Sequence, residues 1–255
     1  MKHSLVIVIP IYTSTLTADE ERSLKQLQRL CAEQTIRVVA PEGLTLPDAL
    51  QGYDSERFSP SFFEGIQGYN RLMMSADFYV RFCEYEYLLI YQLDAFLFRN
   101  DLGAWCAREY DYIGAPWLVK NKYQGIGKLL LWLRAIPRRI QSKPFLPIDY
   151  ADKVGNGGLS LRKVESFARV CQTQQTLIKQ WQQQSLTCRE YNEDCFWATR
   201  PGWTYPTAQE ALQFSFDLAP QEAWQRTGKQ IPTGCHGWSK PQYRDFWIPI
   251  ISQYE

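Results

Sequence analysis

Four short strings, in a fixed order along the chain, bring together residue types that do chemistry. They are Gln92-Leu93-Asp94, Gly155-Asn156-Gly157-Gly158, Asn192-Glu193-Asp194 and Gly234-Cys235-His236-Gly237. Transfer of a sugar from a nucleotide diphosphate needs such a set: a metal-binding carboxylate, backbone room for a substrate, a general base and one more metal ligand. Each string taken alone also has a plainer reading. Asp94 serves equally as a loop carboxylate that caps backbone N–H groups. The Asn-Gly loop serves as a turn with positive φ. Glu193 and Asp194 at a helix start complement the helix dipole by about 0.3–1 kcal/mol. A lone histidine is more often structural than a ligand.

In the chemical reading, Asp94 is a metal ligand that holds the diphosphate of a donor. Gln92, two residues earlier, lies on the same strand face and offers an amide to ribose, water or sugar. Gly157 and Gly158 lack side chains and, with Asn156, let a sugar or acceptor approach the main chain closely. This loop is not the dinucleotide fingerprint, because G-x-G-x-x-G is absent and a strand follows it. Asp194 is the favoured general base, with Glu193 beside it oriented to help bind donor or acceptor. His236, between two glycines, completes metal coordination or contacts a phosphate. Aromatic residues make up 15% of the chain, with nine Trp and fifteen Tyr. Most of these rings are expected in a core, while Trp117 and Trp238, next to the strings, are candidates for contact with sugar or acceptor.

The elements that must position these residues are legible from apolar runs. Leu5 to Ile9 and Tyr87 to Tyr91 are continuous apolar segments, as in strands buried on both faces, so Asp94 falls at or just past a strand's carboxyl end. In open α/β sheets that is where ligands bind. Thr17-Ala18-Asp19-Glu20 reads as a capping box opening a helix to about Glu33, and Thr35 to Ala40 as the next strand. Ser61 to Tyr87 reads as mostly helical, with Leu72, Ala76, Tyr79 and Phe82 on one face. Tyr112 to Trp117 is a short strand and turn. Leu159 and Leu161 alternate as in a strand, and Val164, Phe167, Ala168 and Cys171 form a helical stripe. Further helices open at Asn192 and at Thr207, where Thr207-Ala208-Gln209-Glu210 is a second capping box. Strand, helix, strand points to a parallel α/β sheet in one domain spanning 1–255.

Composition narrows the chemistry. A net charge of +1 offers no electrostatic case for nucleic acid. Seven cysteines, none in C-x-x-C spacing, and no secretory signature read as reduced thiols of a cytoplasmic protein. With only His3 and His236, a multi-histidine metal centre is excluded, and an oxygen-rich site favours Mg²⁺ or Mn²⁺. Residues 120–143 stand apart: Lys120, Lys122, Lys128, Arg134, Arg138, Arg139 and Lys143 surround Leu129-Leu130-Leu131-Trp132-Leu133 with no acid. The segment is either an insertion helix that packs its leucines on the domain, or an amphipathic surface that meets anionic lipid at the inner face of a membrane or a phosphate-bearing acceptor.

In combination the strings resemble the shared core of GT-A nucleotide-sugar glycosyltransferases, with a D-x-D metal motif, a glycine-rich loop, an x-E-D acid and a C-terminal histidine. The longer strings Asp111 to Trp117, Val154 to Arg162 and Gly234 to Trp238 resemble a bacterial family of GT-A-like transferases, and the likeness runs from about Leu5 to Trp247. It implies a single GT-A-like, Rossmann-like α/β domain, a mostly parallel central sheet flanked by helices, and a basic helical insertion over 120–149. It also implies a nucleotide-sugar donor, a glycan or lipid-linked acceptor, and Mn²⁺ or Mg²⁺ held by Asp94 and His236. Asp194 matches the catalytic acid, which favours inversion, and Tyr12 sits where such folds place the nucleotide base. Gln92 departs from the pattern, replacing the first acid of D-x-D. Two other readings compete. A nucleotidyltransferase would carry a glycine-rich basic loop after the first strand, where this chain has Ile11 to Thr15. A non-catalytic glycan-binding module on a degenerate fold draws its support from Gln92.

Overall fold

Apolar runs without alternation make strands that are covered on both faces, and two of them form the centre of the molecule. The computed structural model describes residues 4–118, 126–144 and 146–254. Through the first half of the chain the order is β1 (Leu5–Pro10), α1 (Ala18–Leu30), β2 (Thr35–Pro41), β3 (Ser55–Phe58), α2 (Gly65–Met73), α3 (Ala76–Val80), β4 (Tyr87–Tyr91), β5 (Ala95–Leu97), α4 (Leu102–Cys106) and β6 (Tyr112–Ile113). The second half adds α5 (Ile126–Ile140), α6 (Leu146–Asp149), β7 (Leu159–Lys163), α7 (Val164–Thr173), α8 (Gln175–Ser185), α9 (Glu193–Trp197), α10 (Ala208–Phe214), β8 (Ser215–Phe216), α11 (Pro220–Arg226), β9 (Gly234–His236) and α12 (Pro241–Ile251).

The larger sheet has the strand order β3-β2-β1-β4-β7-β6. Its first four strands run parallel, while β7 lies antiparallel to β4 and β6 antiparallel to β7. A second sheet has the order β5-β9-β8. Alternation sends successive side chains of the central strands to opposite faces. Leu5, Ile7 and Ile9 of β1, with Tyr87, Leu89 and Tyr91 of β4, pack on Leu24 and Leu27 of α1. Val6 and Val8, with Leu88 and Ile90, pack on Phe78, Tyr79, Phe167 and Trp197. Each fully buried aliphatic side chain of this kind contributes about 1.5–3 kcal/mol relative to exposure. The third core cluster gathers Phe96, Phe216, Cys235, Trp238 and Trp247. A mixed α/β fold with a mostly parallel central sheet and flanking helices is what the sequence led us to expect.

Local signals held where they were strongest. Both capping boxes form, at Thr17 with Glu20 and at Thr207 with Glu210. α1 stops at Leu30 rather than near Glu33, because β2 must begin at Thr35 to pair with Val6. The region 61–87 is helical only in pieces, α2 and α3, with Leu72, Tyr79 and Phe82 fully buried as one face. The helix expected at Asn192 exists as the short α9, and Asn192 is its N-cap residue. Four strands were not expected: β3 at the sheet edge, and β5, β8 and β9, which make up the small sheet.

The basic segment forms α5 and α6. Arg138 pairs with Glu190 at 3.2 Å and Arg139 with Asp149 at 2.8 Å. Most of the leucines do not pack on the body of the protein: Leu131 is buried, whereas Leu129, Leu130 and Leu133 are exposed. Lys120 and Lys122 lie outside the described residues.

Candidate functional site

β4 ends at Tyr91, and Gln92-Leu93-Asp94 is the tight connection to β5, closed by the Ala95 N–H donating to the Gln92 carbonyl at 2.8 Å. β5 pairs antiparallel with β9 in a register that sets Ala95 opposite His236. A residue 142 positions downstream is thereby brought beside Asp94 (236 minus 94). His236 Nε2 lies 3.1 Å from Asp94 Oδ1 and 3.2 Å from Gln92 Oε1. Its Nδ1 lies 3.1 Å from Asp217 Oδ1, directly after β8. Lys240 Nζ approaches Asp94 Oδ2 to 3.9 Å.

The charges in this cluster tune one another. Burial works against ionisation of Asp94, but the charge and hydrogen bond of His236, and Lys240 beyond it, hold the carboxyl below its ordinary range. Burial also opposes protonation of His236, yet Asp94 and Asp217 outweigh it and push the imidazole up to about 9.

The glycine loop closes onto this cluster because β7 pairs with β4, Leu159 opposite Tyr91. The Gln92 N–H donates to the Gly158 carbonyl at 2.8 Å. A Cβ on Gly158 would stand 2.1 Å from His236 Nε2, and one on Gly157 would stand 2.1 Å from Glu193 Oε1. A side chain at either position would have to displace Glu193 or His236. Asn156 takes φ 76° and its Oδ1 accepts from the Gly158 N–H at 2.8 Å, which closes the turn. The Asn156 side chain is buried, and its Nδ2 has no hydrogen-bond partner among the described residues.

The acidic pair at the start of α9 lies against the other side of this loop. Glu193 is buried and ion-paired to the fully buried Arg162 at 3.2 Å. Arg162 also donates to the Tyr79 hydroxyl at 2.8 Å and the Ser160 hydroxyl at 3.0 Å. Burial pushes the Glu193 carboxyl up to about 7, with Arg162 opposing and Asp194 adding to the rise. Asp194 Oδ1 accepts from the Cys195 N–H at 2.8 Å. Burial raises its carboxyl too, against that hydrogen bond, and the charge of Asp217 adds to the rise.

Beside Asp94 a cavity of about 440 Å³ opens between the loop after β1 and the start of α2. Tyr12, Phe62, Phe63 and Tyr69 line it, with Gln92 and Asp94 at one end. Tyr12 is exposed, so its ring is free to stack on a planar ligand.

The structure thus brings Tyr12, Gln92, Asp94, Gly157, Gly158, Glu193 and His236 to one place. Trp117 is half-buried, with its ring against Gly155 and edge-to-face with Tyr150 at 5.5 Å. Trp238 is a correction. Its ring is fully buried, its indole N–H donates to Ser23 Oγ at 2.9 Å, and it packs on Phe96, so it belongs to the core and meets no sugar. Three site residues were missed. Lys240 follows His236 by four positions, a spacing that was open to notice. Asp217 and Arg162 carry no local signal, since both join the site through strand pairing.

The donor atoms that converge at His236 Nε2 are one carboxylate and one amide oxygen; among the described residues no three His, Cys, Asp or Glu side chains group as a metal site. The set of nitrogen and oxygen donors fits a weak Mg²⁺ or Mn²⁺ site that ligand phosphates would complete. Asp217 on Nδ1 would supply the outer carboxylate that orients the ring if His236 held such an ion.

The fold is similar to that of solved glycosyltransferases. The galactosyltransferase LgtC, in complex with donor and acceptor sugar analogs, superposes with a TM-score of 0.54 at 14% identity, over 98% of this chain and 93% of that one. Mouse xyloside xylosyltransferase 1 in its apo form superposes with a TM-score of 0.54 at 12% identity, over 92% of this chain and 97% of that one. At such identities the likeness establishes the fold, a GT-A-like α/β architecture. Residues 52–236 match the family described as "Protein of unknown function (DUF5672)", and the chain belongs to that family. The matched span runs through Asp94, the glycine loop, Glu193 and Asp194 to His236. No curated protein matches the chain in sequence.

Proposed function

We propose that this protein is a glycosyltransferase that moves a sugar from a nucleotide-diphosphate donor to a hydroxyl of a glycan or glycolipid precursor. The observation that carries this reading is the meeting of Asp94, Gln92 and His236 beside an aromatic-lined cavity, with Gly157 and Gly158 packed against Glu193 and His236. Tyr12 stacks on the base. Lys240 sets positive charge beside Asp94, where a diphosphate would lie. A divalent ion held by Asp94, His236 and the Gln92 amide would neutralise charge on the departing diphosphate.

The acceptor oxygen forms a bond to the anomeric carbon while the carbon–oxygen bond to the diphosphate breaks, and the diphosphate leaves with the electron pair. Asp194 takes the acceptor's proton; its raised affinity for protons suits a base. With a base on the face opposite the leaving group, configuration inverts. The anomeric configuration of the product, read by proton NMR, tests this step, and a retained configuration would remove Asp194 from the role of base.

A second reading is a glycan-binding module on the same fold, favoured by the neutral Gln92 in place of a metal-binding acid. A thermal-shift screen against UDP-, GDP-, CDP- and dTDP-sugars, with and without Mn²⁺, separates the two. A ligand at about 100 times its dissociation constant adds about 2.7 kcal/mol. We expect a shift with one nucleotide class that Asp94→Asn abolishes. Glycan affinity independent of nucleotide and metal would instead favour the binding module.

A further inference from the structure

The outward side of α5 is apolar. Leu129, Leu130, Trp132, Leu133 and Ile140 are between 48% and 79% exposed, while Gly127, Leu131 and Ala135 face inward. At about 100° per residue, Leu129, Leu133 and Ile140 fall on one line opposite Leu131, with Leu130 and Trp132 on the two flanks. The exposed cations Arg134 and Arg139 lie on the shoulders below that line, Arg139 paired with Asp149, and the exposed Lys143 follows the helix. No acidic residue occurs between 120 and 143.

We infer that α5 docks this protein on an anionic lipid bilayer, lying in the interface with its leucines and Trp132 among the acyl chains. An exposed apolar stripe bordered by cations suits that medium, since guanidinium and ammonium groups reach lipid phosphates while the stripe is buried. The helix lies in the surface and does not cross it: 15 residues span about 22 Å, against a hydrocarbon core of about 30 Å. Among the described residues no helix is long and apolar enough to span a membrane. A second copy of the chain is a poorer occupant, because it would set the cationic shoulders of two α5 helices against each other.

The insertion is also tied to the site. Trp117 N–H donates to the Lys153 carbonyl, Asp152 N–H to the Trp117 carbonyl and Gly155 N–H to the Ala115 carbonyl, each at 3.0 Å. The excursion that bears α5 therefore leaves and rejoins the body of the protein at Gly155, the first residue of the glycine loop. Docking by α5 would bring that loop to the lipid surface, where a membrane-anchored acceptor presents its hydroxyl. This last step rests on the transferase reading; the docking does not.

The test is co-sedimentation of the full chain, without nucleotide, with vesicles of phosphatidylcholine alone and of a one-to-one mixture with phosphatidylglycerol. We expect binding to the anionic vesicles that weakens with salt. The double variant Leu129→Glu/Leu133→Glu should bind about ten- to a hundred-fold less. Both positions are exposed, so the variant should keep the wild-type circular dichroism and melting temperature. A blue shift of tryptophan emission on binding, lost in Trp132→Phe, would place the helix in the interface. Absence of binding to anionic vesicles, equal binding to the neutral ones, or undiminished binding by a folded double variant would overturn the inference. So would a wild-type dimer that the double variant converts to monomer, which would assign the face to a second copy.

Discussion

The Arg162–Glu193–His236 region and α5 break the usual pattern of burial in opposite ways. One buries ions: Arg162 is 0% and Glu193 2% exposed. The other leaves leucines in water, Leu129 at 58% among them. The two differ in what satisfies them. Arg162 donates to Glu193, Tyr79 and Ser160, and both ring nitrogens of His236 have carboxylate partners. The cost of taking these charges out of water is offset inside the protein, by groups arriving from separate strands and helices. Nothing among the described residues covers the outer stripe of α5, the face we propose for lipid. Both regions depart from ordinary burial, but among the described residues only the first finds its partners within the fold.

The largest expected effect tests that completion. Arg162→Met leaves the Glu193 carboxyl buried without its cation, and should cost about 3–5 kcal/mol in urea unfolding at pH 8. A loss under about 1 kcal/mol would mean that the ion pair is not needed to hold α9 against the glycine loop.

A smaller, pH-dependent effect follows from Glu193 itself. Its carboxyl is pushed up to about 7 in the folded protein from an ordinary value of 4.5, so between those values the folded state holds more protons than the unfolded. Stability relative to Glu193→Gln should therefore fall as pH rises from about 4.5 to about 7 and flatten above. Denaturant midpoints of both proteins across that range check the sign. A rise instead would mean that Arg162 stabilises the carboxylate by more than burial costs it.

The smallest effect belongs to α5. Leu133→Gln should change stability in water by no more than about 0.5 kcal/mol. A loss above about 2 kcal/mol would show that Leu133 packs as core, and the contrast between the two regions would fail.

What was legible in the sequence tracks how local each signal is. β1 and β4 were readable because five or six consecutive apolar residues need no distant partner to announce a buried strand. Both capping boxes were readable because their reciprocal bonds close within four residues. β9 was not, since Gly234-Cys235-His236 has strand character only when laid between β5 and β8. Trp238 misled for the same reason: its neighbours in sequence are site residues, but its neighbours in space are Ser23 and Phe96. Asp217 and Arg162 were invisible because an acid after a two-residue strand and an arginine in an alternating one look like ordinary solvated charges.

By itself the sequence determined the α/β class, the position of Asp94 at the end of a buried strand, the glycines of the loop, and a basic, leucine-rich segment unlike the rest. Hydrophobic period, capping and the steric freedom of glycine act over a few residues, so composition and spacing suffice to read them. Only the tertiary structure decided that His236 meets Asp94, that Arg162 rather than solvent faces Glu193, that Trp238 is core, and that the leucines of α5 point away from the protein. Each of those depends on strand register or helix rotation, which are set by pairing between segments far apart in the chain.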